Sequence, residues 1–333
     1  MVSCEEMTGS MMTIIISNYN QEKHLAETIE SVLTQRVSFP FKIIITEDGS
    51  SLDRSREIIR DYASRYDMIE PIFAEENKGY LANILRAKTR TRTKYFCLLD
   101  ADDYWTDRDF LQRACDFLNT HEEYSIYEAN VEVVDGKNRR PFISPGRKSG
   151  TYSKEMYLNN ESIPVTQTTG MVCRNCIFSN GIPKEMADAV GTRSERSYEG
   201  DTGRFIMHLK YGLAYYDSHI VGVYRITENG IWTSLSEAKK RIITAHFYPD
   251  YYRFYGTNVD FFVSRAYENL QSYLTEKQKE LVSFQKEDDF IDEYEKQMFE
   301  DVYLFCKQYE NEIIRSKPGL KDKARQILRV IRG

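Results

Sequence analysis

From Met12 to about Leu118, short apolar runs alternate with segments whose apolar residues recur at helical spacing. Thr13–Ser17 has strand character, and in the segment after it Leu25, Ile29, Val32 and Leu33 share one helical face. Phe41–Thr46 predicts the next strand, followed by a helix from about Asp53 with Ile58, Ile59 and Tyr62 turned inward. Met68–Ala74 and Tyr95–Leu99 predict two more strands, with helices over Gly79–Arg90 and Asp107–Leu118. Strand and helix in strict alternation predict a mostly parallel sheet with helices on both faces, a Rossmann-like α/β arrangement.

The pattern loosens over 124–180, where short strands, turns and the loop "RRPFISPGRKSG" are expected. A helix is expected over Thr202–Tyr211 and a strand over Ser218–Ile226. Beyond Ser234 the composition shifts to long, charged helices. The chain therefore reads as an N-terminal extension (1–11), an α/β domain (12–235) and a helical C-terminal region (236–333).

In open parallel sheets, ligands bind beyond the carboxyl ends of the strands. The four strand ends carry "SNYN" (Ser17–Asn20), "EDGSS" (Glu47–Ser51), "ENKGY" (Glu76–Tyr80) and "DADD" (Asp100–Asp103). Any one of these reads equally well as a turn or a helix cap. Four on one edge point to a polar cleft. Asp100, Asp102 and Asp103 repel one another, so a cationic or convergent polar partner is expected beside them. Two carboxylates at i and i+2 suit a hard cation, Mg²⁺ or Mn²⁺, with phosphate oxygens completing its shell. Neither a P-loop nor a GxGxxG turn is present, which argues against those two phosphate cradles.

Composition narrows the class further. The chain has 333 residues, a net charge of −6 and 24 Tyr, and nothing in that balance points to nucleic acid. No apolar run reaches membrane-span length and the start lacks a signal-peptide pattern, so a cytoplasmic protein is expected. The six Cys then read as reduced thiols, and the lone CxxC of Cys173 and Cys176 lacks a second ligand pair for zinc.

The segments "IIISNYNQEKHLAETIESVLTQ", "IIITEDGSSLD", "ENKGYLANILRA" and "YFCLLDADDYW", in this order and spacing, resemble the family 2 glycosyltransferases with the GT-A fold. The resemblance covers roughly residues 12–232. It is nearest to bacterial enzymes that build surface polysaccharides and glycolipids. "TQTTGMVCR" is similar to the family's acceptor-side strand, and "YEGDTGRFIMHLKYGLAYYDSHIVGVYRITENG" resembles the segment with the catalytic base.

The resemblance implies a nucleotide-diphosphate sugar donor, with UDP favoured by family habit and GDP or dTDP open, and a glycan or lipid-linked acceptor. It implies that Tyr19 stacks on the base with Asn20 beside it, and that Asp48 bonds base or ribose next to Glu47. Asn77, Gly79 and Arg86 would line the nucleotide pocket, Asp100 would hold the ribose or the metal shell, and Asp102 would hold the metal. Asp201 would be the general base, with Glu199 as its understudy. The sequence departs from the family pattern at Gly200 before Asp201, at Thr227 where relatives often carry His, and at Glu47 where Asp is commoner.

Within 316–333, Leu320, Ala324, Ile327, Leu328 and Ile331 recur at helical spacing among Lys and Arg. Such a basic amphipathic helix suits peripheral contact with the inner face of the plasma membrane, or packing on the enzyme or a partner subunit. The Tyr-rich helical region also suits a homodimer. Two other functional classes fit the same residues less well. A DxD phosphatase would place its motif on the first strand. A non-catalytic nucleotide-sugar-binding scaffold would not need Asp48, Asp100, Asp102 and Asp201 together.

Overall fold

The computed structural model describes residues 10–227, 230–284 and 292–309. In chain order the first elements are β1 (Met12–Asn18), α1 (Glu22–Leu33), β2 (Phe41–Glu47), α2 (Ser55–Arg65), β3 (Ile69–Phe73), α3 (Tyr80–Lys88) and β4 (Tyr95–Asp100). A two-residue β5 (Tyr104–Trp105), α4 (Phe110–Thr120), β6 (Tyr124–Asp135), β7 (Asn138–Pro141), β8 (Gly150–Tyr152) and α5 (Lys154–Leu158) follow. Then come β9 (Met171–Arg174), α6 (Lys184–Ala189), α7 (Glu195–Glu199), α8 (Asp201–Leu209), β10 (Leu213–Arg225), α9 (Glu237–Tyr255), α10 (Val259–Phe284) and α11 (Glu293–Gln308).

The described residues form two compact units, one of 10–191 with 198–227 and one of 192–197 with 230–284 and 292–309. The first holds a single sheet with the order β3-β2-β1-β4-β9-β6-β10-β5. β3, β2, β1 and β4 run parallel, as the alternation predicts. β9 is antiparallel to both β4 and β6, and β10 runs parallel to β6. Two reversals cancel, so β6 and β10 end on the same edge as β1–β4.

The isoleucines of β1 and β2 are buried on both faces, the pattern of strands covered by helices on either side. One face carries Met12, Ile14, Ile16, Cys97 and Leu99 against Leu25 and Ile29 of α1 and Phe110, Leu111 and Ala114 of α4.

The structure differs from the pattern reading over 124–135, where one twelve-residue strand replaces the expected short pieces. Seven consecutive buried residues, Ser125–Val131, include Ser125, Glu128 and Asn130, and these polar insertions broke the apolar run. β10 likewise starts at Leu213, before the expected Ser218, and carries bulges between Asp217 and Val223 that interrupt its alternation. The second unit is helical, with Ile242, Ile243, Phe262, Ala266, Leu270, Met298, Phe299 and Val302 fully buried within it. The 316–333 tail lies outside the described residues.

Candidate functional site

The first two loops on the carboxyl edge are bonded to each other. The Asn20 amide donates to the Ser50 hydroxyl at 2.8 Å, and the Asn20 side-chain carbonyl accepts from the Leu52 amide at 3.3 Å. Between them Tyr19 stands 44% exposed, its ring open to solvent. Glu47 is fully buried and turns into its own loop, accepting from the Ser50 amide and facing Arg56 at 3.3 Å.

Asp48 reaches across to the next loop. Its two oxygens accept from the Lys78 and Gly79 amides, each at 3.0 Å, with the Arg86 guanidinium at 3.5 Å. Burial raises its pKa, and the two amides and Arg86 oppose that rise. Asn77 accepts from the same Gly79 amide at 3.0 Å, and Arg86 also donates to the Glu47 carbonyl at 3.1 Å. The approach of these loops requires glycine at 49. Its φ is +73°, and a Cβ there would meet the Glu76 carbonyl carbon at 2.4 Å.

The three carboxylates of "DADD" have three different surroundings. Asp103 is fully buried and satisfied. It accepts from the Arg225 amide at 2.9 Å, the Thr169 hydroxyl at 2.8 Å and the Gln167 side-chain amide at 3.1 Å. Asp100 accepts from the Tyr80 hydroxyl at 3.0 Å, and Asp102 has Thr227 at 3.5 Å.

The turn carrying these groups is held from two further sides. The Thr28 hydroxyl of α1 donates to the Ala101 and Asp103 carbonyls, and the Trp105 indole donates to the Thr169 carbonyl at 2.7 Å. Burial, and then the charge of Asp102, push Asp100 up to about 7. Burial also raises Asp102, opposed by His24, Arg225 and Thr227.

Asp201 opens α8, whose N-terminus faces the same edge. Burial raises its pKa, and Arg204, one turn along the helix, counters the rise. The charge of Asp201 adds to the upward push on Asp100, and Arg204 lowers both. The Tyr224 hydroxyl is pushed up by burial and then by Asp103, Asp201, Asp100 and Asp102, so one neighbourhood holds all four carboxylates. Gly200 precedes Asp201 as the N-cap, and Glu199 closes α7, its side chain lying outside the described part of the structure.

Several contributors escaped the sequence reading. Arg204 is a buried cation at the carboxylate cluster, and its i+3 spacing from Asp201 was the available signal. Arg225 donates to the Asp102 carbonyl and stacks 4.3 Å over Tyr104. Tyr80 and Gln167 had no local signature.

The family model for glycosyl transferase family 2 matches residues 13–180, which is half of the chain. The chain belongs to glycosyl transferase family 2. Among curated proteins, an uncharacterised protein of Mycobacterium bovis is 27% identical over 67% of this chain, which spans 61% of that relative's length. A Bacillus subtilis protein named as a teichuronic acid biosynthesis glycosyltransferase, TuaG, is 25% identical over 69% of this chain and 85% of its own. Among solved structures, S. aureus TarS in complex with UDP-GlcNAc superposes with a TM-score of 0.59 at 17% identity, over 95% of this chain and 87% of that one. The fold of this family 2 glycosyltransferase is accordingly GT-A, with C-terminal helices added.

A divalent metal fits the donor set. Asp100 and Asp102 carry carboxylate oxygens whose ionised forms are disfavoured by burial and, at Asp100, by the charge of Asp102, the condition a bound cation would relieve. Among the described residues no group of three or more His, Cys, Asp or Glu could hold a metal alone. Substrate and water oxygens would complete the shell, as is usual for Mg²⁺. Among the described residues no helix is long and apolar enough to cross a membrane.

Proposed function

We propose that this glycosyltransferase transfers a sugar with inversion, from a nucleotide-diphosphate donor, UDP by family habit, to a hydroxyl of a glycan or lipid-linked acceptor. One observation carries the reading. Asp102 and Asp201 both raise the pKa of Asp100 at the carboxyl edge of the sheet, and buried Arg204 opposes the rise at Asp100 and Asp201.

In this reading Tyr19 stacks on the base, with Asn20 beside it. Asp48 shapes the base and ribose wall through the loop of Asn77 and Gly79, which it holds by two amides. Arg86 and Glu47 brace that wall from behind. Asp102, with Asp100, would hold Mn²⁺ or Mg²⁺, and the ion's chemistry is to offset charge on the departing diphosphate. Asp201 takes the proton from the acceptor hydroxyl as its oxygen attacks the anomeric carbon. Burial raises its pKa, which makes the carboxylate a stronger base, and Arg204 opposes that rise. Teichuronic acid biosynthesis, in the name of the Bacillus relative, supports an acceptor from polysaccharide synthesis.

Two measurements test the reading. Asp201→Asn should lower kcat by about 10²–10⁴-fold, the usual contribution of a positioned base, and leave donor binding intact. A value within a few-fold of wild type removes the base assignment. UDP, GDP, dTDP and CDP, each with and without Mn²⁺ or Mg²⁺, should include one that raises the Tm only with metal. That shift should be absent in Asp102→Ala, since saturation at 100 times Kd stabilises by about 2.7 kcal/mol. Absence of any nucleotide shift in wild type moves a non-catalytic scaffold to the front.

A further inference from the structure

The stretch from Gly136 to Lys154 holds Lys137, Arg139, Arg140, Arg147, Lys148 and Lys154 and no Asp or Glu, in a chain of net charge −6. It leaves β6 at the carboxyl edge, turns at Gly136 and returns as β7. Val134 of β6 stands opposite both Arg139 of β7 and Arg225 of β10. The Arg225 amide bonds Asp103, and its guanidinium bonds the Asp102 carbonyl. The basic hairpin therefore runs about two strand spacings, roughly 10 Å, from the backbone that grips the "DADD" turn. Phe142 of its returning arm packs edge-on against Tyr224, whose hydroxyl lies in the field of the four carboxylates.

This segment is a fixed arm whose cations are only partly used. Both ends of the buried Asn130 amide clamp Ile143, at 2.9 Å each, and the Phe142 amide donates to the Val131 carbonyl at 2.8 Å. Arg139 is paired with Glu132, and Arg147 donates to the Ser162 carbonyl and the Tyr152 hydroxyl. Lys137, Arg140 and Lys148 are exposed, and their side chains have neither an ion pair nor a hydrogen bond among the described residues. Lys137 sits at the hairpin turn on the carboxyl edge and Arg140 lies on β7 opposite Val133, whereas Lys148 precedes β8, which pairs with the first part of β10 away from that edge. The carboxylates of the edge repel an anion, and the two hairpin cations supply the opposite charge beside them.

We propose that the acceptor of this glycosyltransferase is an anionic polymer, a glycan bearing phosphate or carboxylate groups, guided to the cleft by Lys137 and Arg140. The proposal rests on the acceptor-transfer reading above and adds the charge of the acceptor. The anionic groups lie along the arm, outside the carboxylate cluster, while the reacting hydroxyl enters beside Asp201.

The test uses the full chain and its Lys137→Gln/Arg140→Gln variant. Binding is titrated with polygalacturonate, polyphosphate, neutral dextran, and phosphatidylcholine vesicles with and without phosphatidylglycerol. Wild type should bind both anionic polymers and not dextran. The variant should bind them roughly fivefold more weakly, a typical sum for two exposed charge contacts, and with a shallower salt dependence. Equal binding by the variant, equal binding of dextran, no binding of either polyanion, or binding of anionic vesicles alone each overturns the proposal, and the last assigns the arm to a membrane surface. The nucleotide-dependent Tm shift is recorded for both proteins. Its loss in both indicts the donor-site reading, whereas its persistence with unchanged polymer binding indicts the charged arm alone.

Discussion

Asp102 and Asp103 are neighbours with the same side chain, and the structure gives them different surroundings. Asp103 is fully buried, and three donors converge on it from β10 and the 167–169 turn. Asp103→Ala leaves those donors without a partner. Each unmet buried donor costs about 1–3 kcal/mol. Relief of repulsion from Asp102 and Asp100, both of which raise the Asp103 pKa, offsets part of this. A net loss of about 2–4 kcal/mol is expected, a large fraction of a typical folding free energy. At a urea slope of about 3 kcal/mol/M the midpoint should fall by roughly 1 M.

Asp102→Asn should be close to neutral, because among the described residues Asp102 has only Thr227 at 3.5 Å as a side-chain hydrogen-bond partner and burial disfavours its charge. The assay is urea unfolding followed by tryptophan fluorescence. Trp105 is 4% exposed and donates to the Thr169 carbonyl, so it reports on the turn in question. An unchanged midpoint for Asp103→Ala, or an equal drop for Asp102→Asn, refutes the division into a structural and a ligand-holding carboxylate.

Asp100→Asn should change the pH dependence of stability. The folded pKa is raised from 3.8 to about 7, so the folded state holds its proton longer than the unfolded chain. The wild type should then lose stability relative to the variant as pH rises from about 4 to 7, and parallel unfolding curves across that range would remove the shift. Gly49→Ala should cost about 1–3 kcal/mol from its φ of +73°. Because a Cβ there also strikes the 76–77 backbone, nucleotide affinity should fall with stability, and a variant with wild-type Tm and nucleotide Kd contradicts the packed-loop account.

Period and turn chemistry were sufficient for the first half of the fold. The isoleucine runs of β1 and β2 and the Leu25–Ile29–Val32 stripe each carry their own signal, and alternation then selects a parallel sheet. The "DADD" turn and its neighbours on the edge were legible for the same reason, since each motif is contiguous. β6 and β10 were less legible. Glu128 and Asn130 inside one and bulges inside the other hide the period, and long-range pairing makes them strands.

The surroundings of each carboxylate were invisible in the sequence, because they depend on partners far along the chain. Asp103 is separated from its donors by 64 to 122 residues, and only folding brings Gln167, Thr169 and Arg225 to it. The same holds for Glu47 and Asp48, adjacent in sequence, of which one turns into its own loop and the other crosses to the next. Local periodicity reports which face a residue occupies. The environment of a charge is the sum over everything the tertiary fold places around it, and no short stretch of chain contains that sum.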